Sequence, residues 1–466
     1  MLFRSVDRSK LPEVGAIANV DFPDVETGKL SNGIVVRLAR RNALPTLNLS
    51  MSFDAGYAAD PRDRLGTQAL MLSLLTEGTT TRSSVQIAEE QERLGAGVGA
   101  RASLDRTTVS LSALTPNLGL SLDLLADIVK NPAFAPAELE RMRATQLAAI
   151  AQENTDPAAL ARRTLPPLVY GAHPYGIPSS GTGDPAVVSK LTRDDLVGFH
   201  QRWIRPDNAE ILAVGNITLA ELVRELEARF GNWPAPATPR GTKDFSATIP
   251  ARAERIVLVD RPQSPQSLIL AGQVLDKLGS DDLEALLAAN DVLGGNFLSR
   301  INMDLRETRG WSYGVRGSLT RPEQRVMYQL RAPVQTDRTG ESIAVLKQHV
   351  KDFVGGKGIT PAELTRTVNG SIRELAGSYE TSDAVLGQMA QDVLYKRAAN
   401  YAETLADRYR AMDAKALDGA VRAAIDPDGF TWVVVGDRKR VLPQLQKLKI
   451  PVTVVDAAAA PVAQGR

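Results

Sequence analysis

A four-residue sequence, Pro136-Ala137-Glu138-Leu139, recurs 225 positions later as Pro361-Ala362-Glu363-Leu364. A second pair of landmarks has almost the same offset, because Ala213-Val214-Gly215-Asn216 resembles Val434-Val435-Gly436-Asp437, 221 positions further on. Similar order and similar spacing are typical of an internal duplication. The sequence therefore predicts two copies of one fold, each of about 220 residues.

A proline-rich stretch separates the two copies. Residues 232–243 contain three prolines, a glycine and several small polar residues, which is the composition of a linker. The expected division is an N-terminal extension at 1–24, an N-terminal domain at 25–232, a linker at 233–250, a C-terminal domain at 251–456 and a tail at 457–466.

Each copy alternates strand-like and helix-like segments. Thr46–Phe53 alternates apolar and polar residues, as a half-buried strand does. Ser84–Leu94 has an apolar face, and Ser83 with Gln86 fits a capping box at its start. The second half repeats the order of strands and helices seen in the first. The predicted fold class is α+β, with two homologous domains that each have a mainly antiparallel sheet and helices packed on one face.

Composition excludes several kinds of protein. The chain has 55 Lys and Arg against 54 Asp and Glu, so its net charge of +1 gives no global field for nucleic acid or anionic lipid. No apolar run approaches the roughly 20 residues that span a bilayer. With no cysteine there are no disulfides or thiolate metal ligands. The three histidines, His173, His200 and His349, are too far apart for a two-histidine motif on one helix. We therefore expect neither a nucleic-acid partner nor a membrane span.

Residues 66–82 read G-T-Q-A-L-M-L-S-L-L-T-E-G-T-T-T-R. Taken alone, they predict an apolar core helix that Gly78 ends. Their frame resembles the insulinase/pitrilysin family of zinc peptidases, whose helix carries G-x-x-H-x-x-E-H-x-x-x-x-G-T. The resemblance places Ala69 and Ser73 at the two zinc-binding histidine positions and Leu72 at the catalytic glutamate position.

The resemblance continues along the first half. In Glu140–Ile150 it places Ala149 at the third zinc ligand, 76 positions after Ser73, and Met142 at a further assisting acid. His173 lies in a later stretch that also resembles the family, and we expect it to have a structural role. Zinc needs nitrogen, oxygen or sulfur donors, and peptide hydrolysis needs a base to activate the zinc-bound water. We therefore expect the chain to bind no metal or other cofactor and to cleave no peptide alone.

The second half resembles a different part of the same family. Asn290–Tyr313 contains S-R-I, L-R-E and G-x-x-Y, which match the family's C-terminal site. The resemblance implies that Arg306 and Tyr313 reach across to the zinc site of another domain or subunit and hold the substrate. Gly310 is expected to end a helix, which would place Arg306 in its last turn and Tyr313 on the strand that follows. Both are hydrogen-bond donors that suit a peptide carbonyl or a developing oxyanion.

Two simpler interpretations stay open for this segment. Arg306 and Glu307 could be an ordinary surface pair beside a packed tyrosine. Gly294 and Gly295 stand where the non-catalytic subunit of mitochondrial processing peptidase has a glycine-rich loop, but two glycines also make an ordinary turn. A substrate-binding role for this pair is the weaker expectation.

By resemblance, the chain is the substrate-binding and activating subunit of a heterodimeric zinc metallopeptidase that encloses peptides in a chamber. The implied partner is a homologous subunit that carries H-x-x-E-H and the zinc. One alternative is a scaffold protein of a larger complex, and another is a peptide-binding protein that does not hydrolyse. The roughly 25 residues before the first predicted strand suggest the periplasm, with the cytoplasm as the alternative.

Overall fold

The computed structural model of the 466-residue chain describes residues 20–456. In the first half the strands are β1 (Val25–Lys29), β2 (Val35–Arg40), β3 (Thr46–Phe53), β4 (Gly97–Ala102), β5 (Thr107–Leu114) and β6 (Ala209–Gly215). The helices there are α1 (Thr67–Ser73), α2 (Ser84–Leu94), α3 (Leu118–Lys130), α4 (Pro136–Thr155), α5 (Pro157–Tyr170), α6 (Pro185–Val188), α7 (Arg193–Trp203) and α8 (Leu219–Phe230).

In the second half the strands are β7 (Arg255–Asp260), β8 (Gln266–Val274), β9 (Arg316–Thr320), β10 (Met327–Gln335), β11 (Thr431–Gly436) and β12 (Val452–Asp456). The helices are α9 (Glu284–Asn290), α10 (Arg300–Asn302), α11 (Thr339–Gly355), α12 (Pro361–Gly377), α13 (Ser382–Leu394), α14 (Tyr401–Arg410), α15 (Ala414–Ala424) and α16 (Arg438–Gln446). Two π-helical segments, Asp291–Gly295 and Met303–Thr308, follow α9 and α10.

The two halves share one sheet topology. The strand orders are β1-β2-β6-β3-β5-β4 and β12-β7-β11-β8-β10-β9. Five of the six positions correspond, from β2 and β7 to the edge strands β4 and β9, and one pair among them is parallel in each sheet, β2 with β6 and β7 with β11. The sixth strand differs, because β1 is antiparallel and comes from the start of its half, whereas β12 is parallel and comes from the end. The predicted α+β duplication is confirmed.

Local sequence signals place several elements within this fold. Ser83 and Gln86 form the predicted capping box at the start of α2. Along β3, Leu47, Leu49 and Met51 are buried in the core between the first sheet and the helices of its own half. The repeated Pro-Ala-Glu-Leu sequence starts both α4 and α12, 225 positions apart, as an internal repeat requires.

Each half also covers the other half's sheet with one helix. Helix α5 packs on β8 and β11, and the equivalent helix α13 packs on β3 and β6. The fit is close, because a Cβ on Gly272 of β8 would lie 2.8 Å from a methyl group of Leu165 on α5. Both sheets are thus covered on two faces, and the two halves form one body.

A buried polar cluster holds the linker between the halves. The Lys243 ammonium lies 2.5 Å from the Asp54 carboxylate and donates to the Asp105 carbonyl at 2.9 Å. The Asp105 carboxylate accepts from the Tyr175 hydroxyl at 2.5 Å and from the backbone N–H of Glu323, in the second half, at 2.8 Å. Because the Lys243 and Asp105 side chains are only 2% and 3% exposed, these bonds replace hydration that burial has removed.

His173 lies beside this cluster as a structural residue. Its buried ring stacks on Tyr170, and its Nδ1 accepts the backbone N–H of Tyr175 at 3.2 Å. Burial, with smaller contributions from the charges of Arg325 and Arg62, lowers the pKa of His173 from 6.5 to about 4.

We expect His173 to make the fold acid-sensitive. Below pH 6.5 the unfolded chain takes up a proton that the folded chain refuses until about pH 4, so stability falls as pH decreases through this window. The part of the decrease in the free energy of unfolding between pH 7 and pH 5 that depends on His173 should be about 1–2 kcal/mol. Urea unfolding of wild type and His173→Asn at both pH values measures it, since asparagine keeps an acceptor. Equal losses in the two proteins would contradict the assignment.

Part of the predicted division lies outside the described residues. The tail at 457–466 and most of the extension at 1–24 are not among residues 20–456. Within the described part of the chain, no helix is both long and apolar enough to cross a membrane.

Candidate functional site

Helix α1 is held at its start by a carboxylate. Gly66 precedes the helix with a left-handed φ of 102°, and the Asp60 carboxylate accepts from the backbone N–H groups of Gly66 at 2.7 Å and Gln68 at 2.8 Å. Burial raises the pKa of Asp60 to about 7, although these backbone donors work against the shift. These hydrogen bonds fix the start of α1.

The residues predicted at the zinc positions offer no imidazole or carboxylate. Leu72 is 8% exposed and packs in the first core. The Ser73 hydroxyl donates to the Leu70 carbonyl at 2.9 Å, which uses its proton within the helix. Ala69 is partly buried and Ala149 is exposed on α4. In residues 20–456, no three acidic or histidine side chains are grouped so that they could hold a metal ion.

Helices α1 and α4 nonetheless lie against each other. The Gln146 amide of α4 donates to the Gly66 carbonyl at 3.1 Å and to the Thr182 carbonyl at 2.8 Å. Ala69 and Ser73 lie three and seven residues after Gly66, on the same helical face, and Ala149 lies one turn after Gln146. Helix α4 thus packs against α1 through Gln146, and the assignment of Ala69, Ser73 and Ala149 to ligand positions stays a prediction.

The end of the motif has a structural role. The Asp127 carboxylate accepts hydrogen bonds from Thr79 at 2.6 Å, from Thr81 at 2.8 Å and from Arg82 at 2.8 Å. Burial opposes the charge on Asp127, but these donors and Asn131 outweigh it and lower its pKa. Thr79 of the motif, with Thr81 and Arg82 after it, thus stabilises the turn that follows α1.

Arg306 lies near the end of a helix, as predicted. It belongs to the π-helical segment Met303–Thr308, and Gly310 follows with a left-handed φ of 64°. The backbone N–H of Trp311 returns to the Leu305 carbonyl at 2.9 Å, which closes the helix end. Glycine at this position takes the left-handed conformation without the steric cost of a Cβ.

The predicted position of Tyr313 was wrong. Tyr313 lies in the loop between Thr308 and β9, which begins only at Arg316. The loop runs beside β10, because the Trp311 carbonyl accepts from Gln335 at 3.0 Å and the Ser312 hydroxyl donates to the Pro333 carbonyl at 2.5 Å. Because Tyr313 is not part of a paired strand, its side chain projects into solvent, where it is 85% exposed.

The Arg306 guanidinium lies against two aromatic rings. Its central carbon is 4.9 Å from the ring centre of Tyr313 and 4.5 Å from that of Phe297. Its Nε lies 3.1 Å from the Glu307 carboxylate, so the adjacent surface pair also exists. The structure thus brings Arg306 and Tyr313 together.

Phe297 is the residue that the sequence interpretation missed. The buried Asn302 side chain positions it, because its amide donates to the Phe297 carbonyl at 2.7 Å and its oxygen accepts from the Val315 N–H at 2.9 Å. One side chain thereby ties together the two loops that carry the rings on Arg306. An apolar Phe297-Leu298 pair outside any helical or strand period was the available signal.

The two glycines lie in a helical turn, not in an open loop. Gly294 and Gly295 belong to the π-helical segment, and a Cβ on Gly294 would lie 2.9 Å from the backbone nitrogen of Gly317 in β9. A Cβ on Gly295 would lie 2.4 Å from a carboxylate oxygen of Asp291. Packing accounts for both glycines, and their contact with a substrate stays a prediction.

Comparison with known proteins places this arrangement in a family. Residues 35–183 match the profile described as insulinase (peptidase family M16), and residues 190–371 match the one described as peptidase M16 inactive domain. An uncharacterized zinc protease of Mycobacterium bovis is 32% identical over 304 residues, which are 64% of this chain and 67% of that protein. The chain belongs to peptidase family M16.

A further relative and two solved structures carry different descriptions. The protein named non-peptidase homolog YmxG of Helicobacter pylori is 22% identical over 399 residues, covering 85% of this chain and 90% of the relative. The solved peptidase M16 inactive domain from Pseudomonas fluorescens has a TM-score of 0.79 at 24% identity, over 89% of this chain and 98% of that one. The periplasmic protease PqqL from Escherichia coli has a TM-score of 0.73 at 16% identity, over 92% of this chain but only 49% of its own length.

We expect this M16 chain to hold no stoichiometric zinc after washing with a chelator. The reason is that Ala69, Ser73 and Ala149 offer no strong donor at the family's ligand positions. Elemental analysis of the washed protein measures the metal. One tightly bound zinc per chain that is lost in His173→Asn would contradict the frame assigned to α1.

Restoring only the two histidine positions should give no peptidase activity. In Ala69→His with Ser73→His the imidazoles stand at i and i+4 on one face of α1, where they can share a metal. Without Leu72→Glu there is no base, and without Ala149→Glu the third ligand is missing. Turnover of a labelled peptide by the double variant alone would show that the motif positions are misassigned.

Proposed function

We propose that this M16 chain is the non-catalytic, substrate-binding and activating subunit of a heterodimeric zinc metallopeptidase. The observation that supports the proposal is an asymmetry between its two halves. In the first half, the positions that the resemblance assigns to zinc ligands hold Ala69, Ser73 and Ala149, while in the second half Arg306 and Tyr313 lie in contact and accessible. If the chain had no partner and had simply lost its activity, there would be no reason for the Arg306 and Tyr313 site to be retained.

The chemistry of the retained site fits such a division of labour. Among the described residues, the Glu307 carboxylate is the one polar partner of the Arg306 guanidinium, and it lies at Nε. The terminal amino groups of Arg306 and the hydroxyl of Tyr313 therefore stay available to donate to a peptide carbonyl. As that oxygen becomes an oxyanion, such donors bind it more strongly than the ground state.

A partner has to supply the remaining chemistry. The proposed partner is a homologous M16 subunit with H-x-x-E-H, whose zinc and glutamate activate the water while Arg306 and Tyr313 hold the peptide. This chain matches 49% of the length of PqqL, so two chains of this size would together be about as long as that protease, which supports the proposal. Two subunits facing each other would enclose the peptide in a chamber.

Isolation of the tagged chain from its own organism tests the proposal. We expect an H-x-x-E-H subunit to co-purify in equal amount, and peptidase activity to require both chains. A large assembly of membrane proteins without such a subunit would favour the scaffold function. Recovery of the chain alone, with bound peptides, would favour a peptide-binding protein that does not hydrolyse.

The compartment is part of the same proposal. We propose the periplasm, and the cytoplasm is the alternative. Release of the chain by osmotic shock, measured against a cytoplasmic marker enzyme, distinguishes the two. Retention of the chain together with the cytoplasmic marker would contradict the periplasmic location.

A further inference from the structure

We infer that a cavity between the linker and the second half of the chain binds a small organic phosphate monoester. The cavity has a volume of about 620 Å³, which is the size of a small-molecule site. Its walls come from the end of α5, from residues 245–253, from the end of β8 and the start of β11, and from the loop before β10. None of the described residues that line it belongs to 290–313, so the inference does not rest on the proposed function.

The first observation is an excess of positive charge around the cavity. Three of the described residues that line it are arginines, namely Arg252, Arg255 and Arg325. The acidic residue among them is Asp276. His173 also lines the cavity and is neutral at pH 7, because burial first and then the charge of Arg325 lower its pKa to about 4. The lining therefore has a net charge of +2 at this pH, which matches a phosphate monoester dianion.

The second observation is that two of these guanidiniums have unused donors. Arg255 donates from Nη2 to the Leu168 carbonyl at 2.6 Å and from Nε to the Thr431 hydroxyl at 3.3 Å, and no described residue accepts from its Nη1. Arg252 donates from Nε to the Val274 carbonyl at 2.9 Å, and no described residue accepts from its Nη2. Neither guanidinium forms an ion pair with a carboxylate of residues 20–456. The bonds to carbonyl groups hold both cations in place before a ligand arrives, which lowers the entropy lost on binding.

The third arginine has a counter-ion that lies mostly in solvent. Arg325 pairs with Asp276 through Nη1, but the Asp276 side chain is 87% exposed. The hydrogen bond from Arg325, and to a smaller extent the charge of Arg252, lower the pKa of Asp276, so one carboxylate serves two of the arginines. Water screens such an exposed pair. A phosphate can therefore accept from the remaining amino groups of Arg325 without breaking a buried ion pair.

The wall from the linker supplies hydroxyl groups and an aromatic ring. Residues 245–249 alternate, so that Phe245 and Ile249 are half-buried while Ser246 and Thr248 are exposed, and all four line the cavity. Phe245 and Ile249 pack against the core under α5, which fixes this stretch. The hydroxyl groups can donate to phosphate oxygens, and the organic part of an ester can bury apolar area against Phe245.

The arrangement suits a phosphate group better than a carboxylate. A guanidinium donates through a planar fork that fits two oxygens of either group. A phosphate monoester has three terminal oxygens and a charge close to −2 on one centre, so it can accept from more than one arginine at once. A dicarboxylate divides the same charge between two distant ends, which lowers its attraction to cations around one cavity.

Calorimetric titration of the purified full-length chain at pH 7 and low salt tests the inference. The probes are phenyl phosphate, inorganic phosphate and succinate. We expect phenyl phosphate to bind about tenfold more tightly than inorganic phosphate, because its ring buries apolar area, and at least about tenfold more tightly than succinate. In NMR spectra the His173 resonances should shift on binding, whereas those of His200 and His349, which do not line the cavity, should stay in place.

Two arginine variants and a matched control locate the site. Arg252→Gln and Arg255→Gln each remove one cation but keep an amide donor, and each should weaken phenyl phosphate about tenfold. Arg331→Gln removes the same charge from an exposed position on β10 that does not line the cavity, so its affinity should stay within about twofold of wild type. Circular dichroism verifies that every variant is folded. Phenyl phosphate should also raise the melting temperature of wild type, since it binds the folded chain.

Three results would overturn the inference. Absence of phenyl phosphate binding to wild type at millimolar concentration would show that the cavity is not such a site. Wild-type affinity in both folded cavity variants would show that the phosphate binds elsewhere. Equal affinities for succinate and phenyl phosphate would show that the cavity recognises charge alone, so the phosphate assignment would be wrong. The proposed function is unaffected by each result, because neither Arg306 nor a partner subunit takes part.

Discussion

Tyr313→Phe is expected to lower kcat of the reconstituted two-subunit peptidase by about 10²–10³. The phenylalanine ring can keep its place beside Arg306, so the variant removes little more than one hydroxyl donor. A donor that is aimed at a developing oxyanion acts mainly in the transition state, so KM should change much less than kcat. Steady-state kinetics of the complex with a fluorogenic peptide measures both constants.

Arg306→Ala should lower kcat of the complex at least as much as Tyr313→Phe does. Arg309→Ala is its matched control. Arg309 lies three residues away, also stacks on an aromatic ring, that of Trp311 at 4.8 Å, and also pairs with a carboxylate, that of Asp304 at 2.8 Å. It has no predicted contact with substrate, so Arg309→Ala should keep activity within about twofold. Gel filtration establishes that each complex assembles. Wild-type kcat in an assembled Arg306→Ala complex would make the Arg306 site structural and would favour the scaffold function.

Asp105→Ala is expected to lower the free energy of unfolding by about 3–5 kcal/mol. The substitution leaves the Tyr175 hydroxyl and the Glu323 N–H without their acceptor and removes one of the two carboxylates near the buried Lys243 ammonium. The effect on stability should be large because water cannot reach these groups to replace the lost bonds. Urea unfolding followed by circular dichroism at pH 7 measures it.

Asp123→Ala provides the control for an exposed carboxylate. Asp123 pairs with Arg229 at 2.8 Å but its side chain is 47% exposed, so its loss should cost at most about 1 kcal/mol. The rate of limited proteolysis is a second measurement. Because Asp105 and Lys243 anchor the linker, a protease should cut Asp105→Ala within 233–250 faster than it cuts wild type. Equal stability of the two variants would contradict the role assigned to the cluster.

The elements that could be predicted are those with strong local signals. The bounds of α2 and β3 agree with the capping box of α2 and the alternating pattern of β3. Strand β4 was missed because Gly97-Val98-Gly99-Ala100 has little strand preference, and it forms through its pairing with β5. The edge strands β1 and β12 were missed for a related reason, since each depends on one neighbouring strand.

In the candidate site, too, the features with a local sequence signal could be predicted and those that depend on long-range contacts could not. Arg306 and the helix end at Gly310 could be predicted, because a glycine after a helical run is a local signal. The loop position of Tyr313 could not, since it depends on bonds from Trp311 and Ser312 to β10, more than twenty positions later. The contact between the Phe297 ring and Arg306 could not be predicted either, because it accompanies hydrogen bonds of Asn302 to two loops that no periodicity encodes.

The sequence by itself determined the duplication and the α+β class, because repeats and periodicity can be read from residue types alone. That Ala69, Ser73 and Ala149 stand at zinc-ligand positions is what the resemblance to the family implies. Only the tertiary structure decided that α5 and α13 each cover the other half's sheet, and that two aromatic rings lie against Arg306. These features depend on free energy from contacts between residues far apart in the chain. Such contacts form only when the whole body is packed, so local patterns carry little record of them.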